Sequence, residues 1–317
     1  MHDIIIIGGG PAGMTAALYA LRNGKSALVL EKRGFGGQIT HSPKVENYPG
    51  TLQMSGNAFA DRMLDQILAQ GAEIELETAV RVEDRGDIKV VHTEEGSAFE
   101  GRAVVLATGV KHRMLGLPGE NELVGEGISF CAVCDGDFYS GRKVCVAGGG
   151  NSALQEAILL AEKCSEVVIL QDLPRCTGEQ RLQDALFARS NVSAICDTKI
   201  TGLRTGGDGL TGVEIESRTT GEKRVIDCDG LFVAIGLIPE NGPFADLAAL
   251  NAYGYFDSDE QCLTRTPGVY VAGDCRSKGV RQLTTAVAAG APAALAACRY
   301  LNERVELKKK DPSLRSG

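Results

Sequence analysis

Tryptophan is absent from the 317 residues, and only ten prolines stand against forty glycines. The first absence argues against a ligand held on large aromatic platforms. The second contrast describes tight turns and close backbone approaches without the composition of disorder. Positive charge is scarce as well, and a net charge of −8 leaves no basic face for a nucleic acid. The one basic cluster, Lys308 to Lys310, sits in "RVELKKKDPSLRSG", which lacks apolar periodicity. Residues 303–317 are therefore expected to form a flexible tail that binds neither membrane nor nucleic acid. Long apolar runs are missing too, since no window approaches the ~18 apolar residues of a membrane span. Met1 leads straight into "IIII" (Ile4–Ile7), without the basic stretch, long apolar run or cleavage site of a secretory leader. A cytoplasmic protein is the expectation.

A second C-x-x-C is also missing, and the four histidines (His2, His41, His92, His112) show no ligand spacing. Both facts argue against a four-ligand zinc site.

The chain length exceeds what one core usually serves, so two domains are expected. An internal repeat supports this. "IIIIGGGPAGMTAALYALRNGKSALVLEK" from Ile4 aligns without a gap with "VCVAGGGNSALQEAILLAEKCSEVVILQD" from Val144. Each copy reads as strand, glycine-rich turn, Ala-rich helix and second strand. The fold class is therefore α/β, with two doubly wound dinucleotide-binding domains. In the first copy Gly8, Gly10 and Gly13 make G-x-G-x-x-G, which lets a pyrophosphate approach the backbone and the N–H groups at the helix start. Glu31 ends the second strand, where its carboxylate can accept from ribose hydroxyls. The second copy has Gly148, Gly150 and Ala153, with Gln171 at the ribose position. "VVLATG" (Val104–Gly109) and "LFVAIG" (Leu231–Gly236) read as strands closing each fold. "GVYVAGDC" (Gly268–Cys275) is a strand whose Asp274 is placed for a cofactor's sugar or ribityl hydroxyls.

Of ten cysteines, eight are scattered singly and read as small apolar residues in reduced form. Cys131 and Cys134 alone form a close pair, in "SFCAVCDGDF". As a staple they would close too small a loop to constrain the unfolded chain much. Their spacing suits reversible dithiol–disulfide exchange. Asp135 is a candidate proton donor and acceptor for the sulfurs, or else a turn residue before Gly136. A dithiol takes no hydride from a nicotinamide efficiently, so the paired folds and the C-x-x-C together point to FAD between donor and disulfide.

In this order and spacing, the motifs "GGGPAG", "GGQITHSPKVENYPG", "ATG", "CAVCDG", "GGGNSA" and "GDCRSKGVRQLTTAVAAGAPAA" resemble the low-molecular-weight thioredoxin reductases, from Ile4 to about Leu301. The resemblance implies a discontinuous FAD domain (1–116 and 245–302) with a pyridine-nucleotide-type domain (117–244) inserted in it and carrying the cysteines. It assigns to the flavin Gly8, Gly10, Pro11, Ala12, Gly13, Glu31, Lys32, Gly36, Gly37, Gln38, Asn47, Thr108, Gly109, Gly273, Asp274, Arg281, Gln282 and Ala286. A nicotinamide site would comprise Gly148, Gly150, Asn151, Ser152, Ala153 and Gln171. The resemblance also implies that Cys134 meets the flavin and Cys131 attacks the disulfide of thioredoxin, with domain rotation between the two tasks, in a homodimer.

One stretch departs from the pattern. NADPH-using members carry His-Arg-Arg and a further arginine after the second strand of the inserted domain. Gln171, Asp172, Leu173 and Thr177 stand there instead, in "LQDLPRCTGEQR". Asp172 would repel a 2′-phosphate and no bidentate arginine is in place. The departure resembles a branch of the family that lacks this motif and takes electrons from reduced ferredoxin, which is slightly favoured as donor over NADH or weakly bound NADPH. A dithiol oxidase using oxygen and a non-catalytic redox sensor are the competing readings.

Overall fold

The computed structural model describes residues 1–42, 44–207 and 209–310, with the backbone alone for 308–310. They divide into two compact units. One comprises Met1–Thr40, Tyr48–Lys111 and the chain from Pro239 onward, the other His41–Asn47 and His112–Ile238.

The first unit is built on the strand His2–Ile7. Ile4 and Ile6 enter one core cluster with the helices Pro11–Arg22 and Leu283–Lys310, while Ile5 and Ile7 enter a second cluster on the opposite face. Successive side chains of a strand alternate between faces, so an unbroken apolar run is what a strand covered on both sides requires. Parallel to it lie Ala27–Leu30, then Glu73–Glu75 on one side and Ala98–Leu106 on the other. The last of these has two partners in succession. Its first half pairs antiparallel with Lys89–Thr93, and its second half pairs parallel with Val269–Val271.

The second unit repeats the motif. Lys143–Ala147 lies between the parallel strands Glu166–Leu170 and Gly230–Val233, and the sheet is completed by Val192–Ile195 and Ile128–Ser129. Val144 and Val146 pack beneath the helix Asn151–Ala161, while Cys145 and Ala147 face the other cluster, which also receives the antiparallel sheet of Thr198–Gly206, Gly209–Ser217 and Lys223–Asp227. The fold is thus α/β with two dinucleotide-binding halves and mixed parallel and antiparallel sheets.

The final helix runs on through Glu303–Lys310, into the segment expected as a tail. Leu, Glu, Lys and Arg are good helix formers, and Arg304 pairs with Asp87 while Leu301 is buried, so the helix stays docked beyond its apolar stretch. Residues 311–317 of the expected tail lie outside the described residues. No helix among the described residues is long and apolar enough to cross a membrane.

Candidate active site

At the edge of the second unit's sheet, the strand Ile128–Ser129 delivers the chain into the cysteine pair. Cys131 and Cys134 form a disulfide across the first turn of the short helix Ala132–Asp135. Cys131 caps that helix, its Sγ accepting the Cys134 N–H at 3.2 Å and its carbonyl accepting the Asp135 N–H at 3.0 Å. Ser129 Oγ accepts the Cys131 N–H at 3.1 Å and donates to Asp135 Oδ2 at 2.6 Å. Asp135 Oδ1 is buried and takes no hydrogen bond among the described residues. Burial pushes this carboxyl above its ordinary range, and the Ser129 bond opposes the shift without cancelling it. The three residues expected to act together in catalysis therefore stand within one turn of chain.

A second carboxyl approaches from the helix Asn151–Ala161. Glu156 accepts the Ala132 N–H, and burial, reinforced by the charge of Asp135, pushes it up to about 7. Below the helix, Tyr139 meets Phe232 edge to face at 5.2 Å, and burial followed by the Asp135 charge pushes its phenol up to about 12. Phe130, next to Cys131, stacks on His112 at 4.4 Å. Burial, then the charge of His41, lowers that imidazole to about 4, so it is neutral at neutral pH.

In the first unit, the strand His2–Ile7 ends at Gly8, whose φ of +113° only glycine adopts without strain. Gly10 caps the helix Pro11–Arg22, and no side chain caps its first N–H groups, so that end is open to an anion. A Cβ on Gly13 would collide with the Gly8 carbonyl, and one on Gly273 would come 2.7 Å from the Ala12 Cβ. Glu31 follows the second strand, with Oε2 accepting the Gly9 N–H at 2.7 Å and Oε1 the Arg33 N–H at 3.1 Å. The Gly36 N–H donates to the Gly9 carbonyl at 2.9 Å, bringing Gly37 against Gly10. Lys32 pairs with Glu240, which also takes Lys111 at 2.6 Å. Thr108 Oγ1, before Gly109, donates to Asn241 Oδ1 at 2.8 Å.

Asp274 lies in the turn Gly273–Cys275 after the strand Val269–Val271 and pairs with Lys278 at 2.6 Å. The Arg281 guanidinium stacks over Tyr255 at 4.2 Å and donates to the Asp274 carbonyl at 3.3 Å. Gln282 and Ala286 meet at the start of the final helix, where the Ala286 N–H donates to the Gln282 carbonyl at 2.9 Å. Gln38 is exposed, and Asn47 belongs to the second unit. Pro43, from the same motif, lies outside the described residues. The uncapped helix start, the glycine packing and the half-buried Asp274, whose Oδ1 is itself buried, fit an FAD.

The second glycine turn is a close copy. Gly150 has φ −84° and ψ −179°, against −77° and −178° at Gly10, and it too caps its helix without a side-chain bond. Gly148 has φ +115°, and Ala153 is buried. What surrounds this turn differs. Asn151 Oδ1 accepts the Glu179 N–H at 2.7 Å and its Nδ2 donates to the Glu179 carboxylate at 3.1 Å, while Ser152 is exposed. Gln171 is buried against Gly149, with Oε1 accepting the Asp172 N–H at 3.1 Å and Nε2 donating to the Arg175 carbonyl at 3.4 Å. Asp172 pairs with Arg218 at 3.2 Å, and Arg181 with Glu179 at 2.9 Å. The amide at the ribose position thus serves its own loop, and two of the nearby arginines are already matched by carboxylates.

Three residues escape a reading of motifs. Ser129 opens the cysteine stretch but signals nothing by itself. Asn241 is fully buried, donating to the Gly254 and Cys275 carbonyls at 2.9 Å each, and its surroundings carry no sequence pattern. Glu156 had a signal. It falls at the helical spacing of the buried Ala153, Ala157 and Leu160, where an acid is out of place.

The model of the pyridine nucleotide-disulphide oxidoreductase family matches residues 2–290. A thioredoxin reductase of Listeria monocytogenes is 38% identical over 306 residues, covering 96% of each chain. A "34.2 kDa protein in rubredoxin operon" of Clostridium pasteurianum is 39% identical over 300 residues, covering 94% of this chain and 97% of the relative. The crystal structure of a thioredoxin reductase from Streptococcus pyogenes superimposes with a TM-score of 0.89 at 37% identity, covering 96% of this chain and 99% of that one.

Proposed function

The chain belongs to the pyridine nucleotide-disulphide oxidoreductase family and, within it, to the low-molecular-weight thioredoxin reductases, and we propose that it reduces thioredoxin disulfide with electrons that do not come from NADPH. The observation carrying the reading is the Cys131–Cys134 disulfide across a short helix beside the half-buried acid Asp135. FAD supplies the link between an electron donor and a disulfide, and Gly10, Gly13, Glu31, Thr108 and Asp274 are the residues we read as holding it.

Two electrons break the Cys131–Cys134 bond, leaving two sulfurs that need protons. Asp135, whose carboxyl is pushed up by burial, holds a proton for Cys134 and takes it back in the next half-cycle. Cys131, at the helix N-terminus, attacks the substrate disulfide as a thiolate and expels one substrate sulfur. Cys134 then attacks Cys131 in the mixed disulfide, releasing the second substrate thiol and restoring the Cys131–Cys134 bond. The working form in this reading is a cytoplasmic homodimer.

The second glycine turn is what supports this reading of the donor. No arginine stands at Gln171, Asp172 or Thr177 to clamp a 2′-phosphate, and Asp172 brings a carboxylate, paired with Arg218, to that position. That supports reduced ferredoxin, delivering single electrons, over NADH or NADPH.

Anaerobic stopped-flow mixing of the yellow protein with reduced ferredoxin, NADH and NADPH in parallel tests the donor. Fast bleaching by ferredoxin alone is expected, and fast bleaching by micromolar NADPH would refute the assignment. Cys131→Ser and Cys134→Ser are each expected to keep the flavin and abolish thioredoxin reduction.

A further inference from the structure

Glu156 has no part in the sulfur chemistry above, yet its carboxyl reaches the backbone of the redox helix. It accepts the N–H of Ala132, the first residue after the capping Cys131. On the other side, Ser129 Oγ takes the Cys131 N–H. Two successive amides at the positive end of this turn are thus bound by neighbouring side chains, and the Cys131 sulfur accepts the Cys134 N–H, which its own carbonyl also accepts. A helix N-terminus normally favours a thiolate, and a carboxylate bound to the same amides works against it.

We propose that Glu156 is a positioning residue that sets the ionisation of the Cys131 thiol, its charge on the Ala132 amide making the Cys131 thiolate harder to form. The inference rests on the reading of Cys131 as the outward nucleophile. The ionisable group whose charge acts on Glu156 is Asp135, on the segment packed against its helix, while Lys163 just beyond that helix is paired with Asp137. Tyr139 stays neutral, being pushed up to about 12. Glu156 itself is pushed up to about 7 by burial and then by Asp135, so its charge changes across the neutral range. As pH rises, Glu156 ionises and the Cys131 thiol becomes harder to deprotonate.

The test uses the full-length flavoprotein, reduced with a dithiol and alkylated by iodoacetamide from pH 5 to 10, with Cys131 and Cys134 scored separately by peptide mass. Glu156→Gln keeps an acceptor for the Ala132 N–H and loses only the charge. The midpoint for Cys131 alkylation is expected to fall by about one pH unit. An unmoved midpoint overturns the proposal, because a purely structural role survives in glutamine. Should the glutamine variant lose its flavin, Glu156→Asp withdraws the charge from the amide on a shorter arm and is expected to move the midpoint in the same direction; an unmoved midpoint there is equally fatal. If Cys134 outruns Cys131 in the unsubstituted protein, the nucleophile assignment fails instead, so the two failures are distinguishable.

Discussion

Ser129 Oγ donates to Asp135 Oδ2 at 2.6 Å and accepts the Cys131 N–H at 3.1 Å, so one hydroxyl couples the acid to the backbone of the nucleophile. Its bond is also what opposes the effect of burial on Asp135. The serine therefore tunes the acid as well as placing it.

Ser129→Ala removes that bond and leaves the Asp135 carboxyl higher still. The limb of the kcat/KM profile that belongs to Asp135 is expected to move to higher pH. Asp135→Asn is expected to abolish that limb and to slow thioredoxin reduction by roughly 10²-fold or more. A profile unchanged by both substitutions would assign the limb to another group.

Two glycines of one turn should fail differently. A Cβ at Gly13 would overlap the Gly8 carbonyl, so Gly13→Ala is expected to cost on the order of 2–4 kcal/mol of stability, read from urea unfolding. At Gly10 the nearest atom to a Cβ is 3.9 Å away, and its φ of −77° suits alanine. Gly10→Ala is therefore expected to fold within about 0.5 kcal/mol of the parent. It should nevertheless bind FAD more weakly in equilibrium dialysis, because the methyl stands where a pyrophosphate must approach.

Asp172→Arg converts a repulsive position into an attractive one and frees Arg218 from its ion pair. Flavin bleaching by NADPH is expected to need roughly tenfold less nucleotide or better, as charge-assisted bonds to phosphate are worth about 1.5–3 kcal/mol. Bleaching by NADH serves as the control and should not gain. Equal gains with both nucleotides would show that the 2′-phosphate is not what Asp172 discriminates.

His112 should make stability depend on pH. Its imidazole is held neutral in the fold, at about 4 against an ordinary 6.5. Between these values the unfolded chain binds the extra proton, so the contribution is complete above about 6.5 and is lost as pH falls towards 4. The loss is at most about 3 kcal/mol. His112→Leu should flatten the fall in urea midpoint between pH 6.5 and 4, and a fall of undiminished size in that variant would place its cause elsewhere.

The sequence alone determined the features whose physics is local. Strand, glycine turn and helix follow one another along the chain at Ile4 and again at Val144. Their hydrogen bonds and alternating burial link near neighbours, which is why both folds and the cysteine pair were legible. The missing arginines at Gln171, Asp172 and Thr177 were legible for the same reason. Tertiary structure decided what depends on packing between distant segments. Glu156 meets Ala132 across a loop, a strand and a turn, and Asn241 ties Thr108 to the carbonyls of Gly254 and Cys275. The inward turn of the Gln171 amide was equally hidden, since the sequence shows an amide at the ribose position but not that its own loop consumes it. Burial shifts a carboxyl or an imidazole only once neighbours have displaced its water. The acid strengths of Asp135, Glu156 and His112 are therefore properties of the fold, even where their positions could be read from the chain.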